Sequence, residues 1–143
     1  MREEASVSDY KYPLPMPDVD SAGFWDGTKQ HELRIQQCSA CKRYRHPPRK
    51  ACPSCHSEES QWVPLSGKGK IYGWIEVFQP VLPMWRENIP YNIVEVELDD
   101  APGVIITGNV PEAGENQLTV GMPVEVFFDD VTSDVTMPRW RTR

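Results

Sequence analysis

In the second half of the chain, apolar and polar residues alternate in short runs, which is the pattern of strands with one buried face. In the first run, Ile71, Ile75 and Val77 fall on one side, while Tyr72 and Trp74 fall on the other. Clusters of proline, glycine and acidic residues separate the runs and are typical of turns. The pattern predicts five strands, at residues 70–78, 91–98, 103–110, 123–128 and 135–141.

Five strands at this spacing, with no amphipathic stretch long enough for a crossover helix, predict a mainly β fold built as a small antiparallel barrel or sandwich. Five is the strand number of the OB-fold, a partly open Greek-key barrel. The strand number alone does not separate an OB-fold from an SH3-like barrel.

The first part of the chain follows a different pattern. Residues 11–20 contain three prolines and no period, which predicts an extended arm or a flexible lead-in. Asp20 or Ser21 could then cap a short helix, in which two glycines lower the intrinsic stability by about 1 kcal/mol each relative to alanine. Packing must therefore hold this helix, whose apolar side would dock on the core or bind a partner subunit. That side carries Phe24, Trp25 and Thr28.

The length and the hydropathy of the chain limit its class. A chain of 143 residues suffices for one compact domain, or for one small domain that carries a metal-stapled module. The sequence contains no run of about 18 apolar residues, so it predicts no membrane-spanning helix. The beginning of the chain has acids and prolines where a secretory signal needs an apolar stretch. We therefore expect a cytoplasmic protein, in which thiols stay reduced and cysteine pairs more often bind metals than form disulfides.

The net charge of −6 is unevenly distributed. Residues 38–70 carry seven Lys/Arg against two Asp/Glu, whereas residues 71–143 carry four against twelve. A single-stranded nucleic-acid-binding protein is one alternative, because OB-folds stack bases on aromatic side chains. Tyr72, Trp74 and Phe78 could form such a platform. Nucleic acid is nevertheless an unfavoured partner, since the acidic barrel would repel a polyanion.

The four cysteines form the pattern C-x2-C-x10-C-x2-C. A two-residue spacer lets one tight turn direct two sulfur atoms at the same point, and two such turns supply the four thiolates that tetrahedral zinc prefers. Iron is the alternative metal for the same ligands. The pattern therefore predicts a metal site at Cys38, Cys41, Cys52 and Cys55.

Two other interpretations account for fewer of the cysteines. Cys52, Cys55 and His56 match the C-x-x-C-H rule for covalent haem, but that attachment normally takes place outside the cytoplasm. A thioredoxin-like redox pair needs one C-x-x-C near a βαβ unit, which does not fit two pairs in a β-rich chain. Because four cysteines fill every position of a tetrahedral metal, the predicted role of the metal is structural.

The loop between the two cysteine pairs, residues 42–50, contains five Lys/Arg. Such a loop could bind the phosphates of a nucleotide or of a nucleic-acid backbone. The candidates for contact with such a ligand, or with a partner protein, are Arg43, Arg45 and Arg49. Alternatively, it is a solvated hairpin tip whose charge protects an edge strand from aggregation.

The chain resembles the DUF35 family over residues 20–143. The four cysteines alone are shared with many ribbons, but PPR before CPSC, SGKGKIY after it and VGMPVEV near the end are specific. The matching segments are FWDG (24–27), HELRIQQCSAC (31–41), HPPRKACPSC (46–55), SGKGKIYGW (66–74), PYNIVEVELDD (90–100), LTVGMPVEVFF (118–128) and MPRW (137–140).

The resemblance implies a short N-terminal helix, a rubredoxin-like zinc ribbon and a five-stranded OB-fold barrel. It assigns the four cysteines directly as zinc ligands, whereas no motif of the family assigns a contact with coenzyme A to individual residues. The implied units are an extended arm, the helix, the ribbon and the barrel, at residues 1–19, 20–35, 36–66 and 67–143.

DUF35 proteins are typically bound to thiolase-superfamily enzymes, which are thiolases, lipid-transfer-protein-like aldolases or hydroxymethylglutaryl-CoA synthase-like enzymes. Some are paired with MaoC-like hydratases in steroid side-chain degradation. The resemblance therefore implies an accessory or scaffold subunit of a hetero-oligomer, which helps to form the acyl-CoA site of its partner. Trp85, in a turn-rich loop, is a candidate anchor for that partner, unless the loop is a simple hairpin connection.

A free-standing CoA-dependent enzyme is the third possibility. All three histidines lie in or beside the ribbon, and the predicted metal site uses every cysteine, so the sequence offers no convincing nucleophile or base. We therefore expect no catalysis by the chain on its own.

Overall fold

Eight strands, one α-helix and one 3₁₀-helix are present in residues 10–143, the part of the chain that this computed structural model describes. The α-helix, α1, is Ala22–Lys29, and the 3₁₀-helix is Pro83–Asn88. The strands are β1 (Leu33–Cys38), β2 (Tyr44–Arg45), β3 (Ser60–Leu65), β4 (Lys68–Val77), β5 (Tyr91–Leu98), β6 (Ile105–Gly108), β7 (Pro123–Asp130) and β8 (Thr136–Thr142). The implied helical unit, 20–35, thus contains α1 and the first residues of β1. Among the described residues, no helix is long and apolar enough to cross a membrane.

The first three strands form a small antiparallel sheet, the ribbon, in the order β2-β1-β3. The central strand β1 buries Leu33 and Ile35 and ends at Cys38. It pairs with β3 along its whole length, from Leu33 opposite Leu65 to Cys38 opposite Ser60. Because β2 has only two residues, the ribbon has little sheet structure beyond the pair formed by β1 and β3.

The other five strands form an antiparallel sheet in the order β6-β5-β4-β7-β8. The backbone N–H of Trp140 in β8 donates to the carbonyl of Asn109, just beyond β6, at 2.9 Å. This contact brings the two edge strands together, as in a partly open barrel. The predicted mainly β fold is therefore confirmed, with a short helix, a ribbon and a five-stranded half-barrel that is consistent with an OB-fold.

One strand departs from the predicted alternation. β4 contains a β-bulge between Ile71 and Gly73, and the extra residue shifts the side to which the following side chains point. Ile71 is 1% exposed, whereas Ile75 is 57% exposed, and Trp74 packs against the core instead. The prediction that Ile75 shares a face with Ile71 is wrong. Tyr72 is exposed while Trp74 packs inward, so the predicted aromatic platform on this strand is not formed.

Helix α1 docks on the core. Phe24 is 5% exposed and Thr28 is fully buried, and Trp25 packs against the same core. Ser21 is the N-cap residue, but its side chain makes no capping bond. Its hydroxyl instead accepts the backbone N–H of Asp18 at 3.0 Å and donates to Asp18 Oδ1 at 2.8 Å. The predicted helix start at Ser21 is therefore confirmed, but its hydroxyl does not stabilise the first turn, and packing holds the helix.

The two glycines of α1 allow the helix to approach the ribbon closely. A Cβ atom on Gly23 would lie 2.2 Å from the indole ring of Trp62 in β3. A Cβ atom on Gly27 would lie 2.8 Å from the side chain of Arg34 in β1. The low helix propensity of these residues is therefore offset by a contact that a larger residue would prevent.

Part of the predicted N-terminal arm packs against the barrel. Lys11 forms an ion pair of 2.7 Å with Glu87, and the ring of Tyr12 lies 4.4 Å from that of Trp85. The first residues of the arm, 1–9, lie outside the described part of the chain.

Replacing Gly23 tests the helix–ribbon contact. Gly23→Ala should destabilise the metal-loaded protein by up to about 2 kcal/mol, since overpacking against Trp62 costs about 1–3 kcal/mol and the gain in helix propensity offsets only about 1 kcal/mol of it. Gly73→Ala is the matched control, because a Cβ atom there meets nothing within 4 Å. Urea unfolding of both variants measures the difference, and a Gly23→Ala protein as stable as Gly73→Ala would contradict the packing role.

Candidate metal centre and basic cleft

The four cysteines meet at one point. Their Sγ atoms all lie within 4.8 Å of one another, with Cys38 and Cys55 3.5 Å apart and Cys41 and Cys52 3.6 Å apart. A tetrahedral zinc ion with Zn–S bonds of about 2.3 Å places its sulfur ligands about 3.8 Å from each other. The cluster therefore fits one zinc ion. Its members are the four cysteines that the sequence spacing predicts as ligands.

The two cysteine turns have the same backbone. Lys42 follows the first pair and His56 follows the second, each with φ of 65°. The backbone N–H of Lys42 donates to the Cys38 carbonyl at 3.0 Å, and that of His56 donates to the Cys52 carbonyl at 2.9 Å. His56 therefore has a backbone role in its turn, which no sequence pattern indicated, although histidine adopts positive φ more often than most residues.

Backbone N–H groups favour the thiolate form at the first cysteine of each turn. The N–H of Cys55 makes the largest contribution to lowering the pKa of the Cys52 thiol to about 6, and the N–H of Cys41 lowers the pKa of Cys38. At Cys55, the N–H of Ser57 favours the thiolate, but the neighbouring thiols and burial outweigh it and raise the pKa to about 11. Four adjacent thiolates therefore require a cation between them.

The chemistry of this site is that of a closed structural zinc centre. Four soft thiolates in a tetrahedral arrangement suit zinc, and they leave no position open for a substrate or a water molecule. When bound, the metal would tie the end of β1 to the loop that precedes β3. Its binding free energy would stabilise a segment with little core of its own.

Arg45 is buried at the base of the basic loop. It is 8% exposed, and its Nε donates to Gln36 Oε1 at 2.7 Å while Nη2 donates to the Arg49 carbonyl at 3.0 Å. Gln36 Oε1 also accepts the backbone N–H of Arg49 at 2.8 Å. Gln36, a residue of β1 that no sequence pattern marks, therefore fixes the shape of the loop.

A cavity of about 660 Å³ lies between this loop and the barrel turn 100–104. We call it the basic cleft, because its walls include Lys42, Arg43, Arg45 and Arg49. Arg43, on the exposed side, donates through Nη1 to the Ser54 hydroxyl at 3.0 Å. The structure thus brings the three predicted arginines to one cavity.

Trp85 lies away from this cleft, on the 3₁₀-helix. Its ring is 4.4 Å from that of Tyr12 and 5.0 Å from that of Tyr91, and the amide of Asn88 donates to the Tyr12 hydroxyl. The predicted partner anchor is therefore packed between two tyrosines and beside the N-terminal arm. Any partner contact at this place would involve the arm as well.

Known families and structures share this arrangement. The family described as "ChsH2, rubredoxin-like zinc ribbon domain" matches residues 25–60, and "ChsH2, C-terminal OB-fold domain" matches residues 62–129. A solved chain of the Ltp2-ChsH2(DUF35) aldolase is 31% identical to this chain with a TM-score of 0.80. That similarity covers 90% of this chain and 98% of the solved chain.

Three further proteins are similar to this chain in sequence. A DUF35 domain-containing scaffold protein of Methanocaldococcus jannaschii is 33% identical, over 68% of both chains. The alpha subunit of 3-oxo-4,17-pregnadiene-20-carboxyl-CoA hydratase from Mycobacterium tuberculosis is 35% identical, over 81% of this chain and 36% of the relative. The benzoylsuccinyl-CoA thiolase subunit BbsA of Thauera aromatica is 31% identical, over 62% of this chain and 63% of the relative. The chain spans less than two fifths of the length of the hydratase alpha subunits that it matches.

Removing one ligand tests the metal centre. Cys52→Ser should lose bound zinc and unfold at a lower temperature, because three remaining thiolates bind the ion far more weakly than four. His56→Ala should keep one zinc ion per chain, since the four thiols alone enclose the ion. Zinc content after gel filtration measures both, and zinc loss in His56→Ala with retention in Cys52→Ser would contradict the four-cysteine site.

The left-handed backbone at residue 56 gives a second prediction. His56→Gly should be more stable than His56→Ala by about 1 kcal/mol, because a Cβ atom at positive φ is unfavourable and glycine has none. Both variants lose the same imidazole ring, so the comparison isolates the backbone effect. Thermal unfolding of the zinc-loaded proteins measures it, and equal stability of the two variants would show that the turn carries no such strain.

Proposed function

This chain belongs to the DUF35 family, and on that premise we propose that it is an accessory subunit without catalytic activity of its own. It binds a thiolase-superfamily enzyme, in a hetero-oligomer, and helps to form the acyl-CoA site of that enzyme. The observation that carries the proposal is the similarity to the chain of the Ltp2-ChsH2(DUF35) aldolase, which covers 98% of that chain.

The placement of the reactive side chains supports a non-catalytic role. All four cysteines belong to the metal cluster. His31 pairs with Asp130 at 3.0 Å on the surface, and His56 forms the second cysteine turn. His46 is packed 5.3 Å from the ring of Phe24, and burial lowers the pKa of its imidazole. These histidines are thus separated among structural positions instead of forming a nucleophile–base pair.

The names of the relatives support an acyl-CoA substrate for the assembly. They include a hydratase subunit for a steroid acyl-CoA and a thiolase subunit for an aromatic acyl-CoA. Because the chemistry of such complexes resides in the partner, the acyl group is a property of the partner's site. By analogy with the hydratase subunit, we propose that the partner acts on a bulky acyl-CoA, such as one that carries a steroid side chain.

The nucleic-acid alternative receives less support from the structure than from the sequence. The bulge in β4 separates Tyr72 from Trp74, so successive bases would not find the predicted stacking platform. The barrel remains strongly acidic over residues 71–143, which opposes contact with a polyanion.

Co-purification tests the proposal. When the tagged chain is produced together with a thiolase-like protein encoded beside it, we expect a stable complex on gel filtration and acyl-CoA C–C bond cleavage or formation by that complex. The partner produced alone should be less soluble or less active. A partner that is fully active alone while the chain elutes by itself would contradict the proposal, as would thioester turnover by the isolated chain.

A further inference from the structure

We propose that the basic cleft is a binding site for a phosphate or pyrophosphate group. In the assembly, this site would receive the phosphate-bearing end of the acyl-CoA, and this second part rests on the proposed function. The supporting observation is a cavity between the ribbon loop and the barrel turn 100–104, whose walls carry cations that form no ion pair with any acid of residues 10–143.

The cations of the cleft have no carboxylate partner in the part of the chain that the structure describes. Within residues 10–143, no Asp or Glu lies within ion-pair distance of Lys42, Arg43, Arg45 or Arg49. Other cations of this acidic chain do form ion pairs, such as Arg139 with Asp129 at 2.7 Å. Four unpaired charges around one cavity create a positive field that attracts a small anion.

The one acid in the cleft wall faces a different partner. Asp100 Oδ2 accepts the backbone N–H of Ser66 at 2.7 Å, and this bond lowers the pKa of the carboxyl group. Its charge is therefore engaged at the barrel entrance, next to Ser66 in the β3–β4 connection. It does not form an ion pair with the arginines of the cleft.

Arg45 is the strongest single indication of an anion. Its side chain is more than nine-tenths buried, and the partners of its guanidinium are neutral oxygens of Gln36 and Arg49. Its buried Nη1 has no hydrogen-bond partner among the described residues. A buried cation without a counter-charge is unfavourable, and phosphate oxygens are the acceptors that a guanidinium binds best.

The surroundings of the cleft suit a ligand larger than free phosphate. Its volume of about 660 Å³ is within the range of small-molecule and cofactor sites. His46 and Pro47 also line a neighbouring cavity of about 330 Å³, whose walls include Phe24, Trp25 and Ile106. A ligand with a phosphate group at one end and a less polar arm, as in coenzyme A, could occupy both cavities.

Calorimetric titration of the full-length, zinc-loaded protein with inorganic pyrophosphate and with coenzyme A tests the site. We expect one binding site per chain for both probes, with tighter binding of coenzyme A. Arg43→Gln and Arg49→Gln should each weaken binding about tenfold, the loss expected for one charge-assisted contact. Both side chains are exposed, so these variants should fold even where Arg45→Gln does not.

Lys50→Gln is the matched control. Lys50 belongs to the same loop and carries the same charge, but it does not line the cleft, so its replacement should leave the affinity unchanged. Absence of binding at millimolar pyrophosphate, or an equal loss in Lys50→Gln, would overturn the site. Binding of pyrophosphate with no tighter binding of coenzyme A would support the phosphate site and overturn its assignment to acyl-CoA.

The titration and the co-purification can fail independently of each other. The Arg43→Gln and Arg49→Gln proteins should still co-purify with the partner, because the inference concerns ligand affinity. Failure of wild-type co-purification would remove the proposed function while leaving the pyrophosphate titration to decide the site.

Discussion

Four thiolates directed at a single point are the constraint on which the N-terminal half of the chain depends. Two turns of the same backbone, at Lys42 and His56, place the sulfur atoms within reach of one ion. The segment between β1 and β3 has only the two-residue strand β2, so apolar burial contributes little there. A metal ion that joins both turns therefore supplies the stability that a larger core would give elsewhere.

The metal turns also determine where the basic loop lies. Residues 42–50 are held at both ends by cysteine turns and in the middle by Gln36, which bonds to Arg45 and Arg49. The ribbon in turn shares one hydrophobic core with the barrel, since Phe24, Leu33 and Ile35 cluster with barrel residues. The cleft between loop and barrel is therefore part of a single packed structure, in which the guanidinium of Arg45 is held by Gln36 and by the Arg49 carbonyl.

The elements that the sequence predicted well are those with local causes. The alternation in residues 91–98 coincides with β5, Tyr91–Leu98, because a strand with one buried face imposes its period on the residues. The metal ligands follow from spacing, since a two-residue spacer can direct two sulfur atoms at one point only through a tight turn.

The features that escaped prediction have distant or unusual causes. The bulge after Ile71 is an irregularity in the pairing of β4 with β5. It turns the side chain of Ile75 outward, although the apolar and polar residues of this segment alternate in the sequence. The role of Gln36 depends on a loop that folds back over β1, which no local pattern encodes. Lys42 and His56 have positive φ, a conformation that glycine adopts most readily. No pattern in the sequence indicates this conformation at a lysine and a histidine.

We propose that this chain is a metal-stapled subunit whose cleft serves the acyl-CoA site of a partner enzyme. The most direct measurement is the structure of the co-purified complex with coenzyme A bound. We predict that the phosphates of coenzyme A contact the arginines of the basic cleft and that the thioester end reaches the partner's active site. A complex in which the cleft opens to solvent, remote from bound coenzyme A, would contradict the claim.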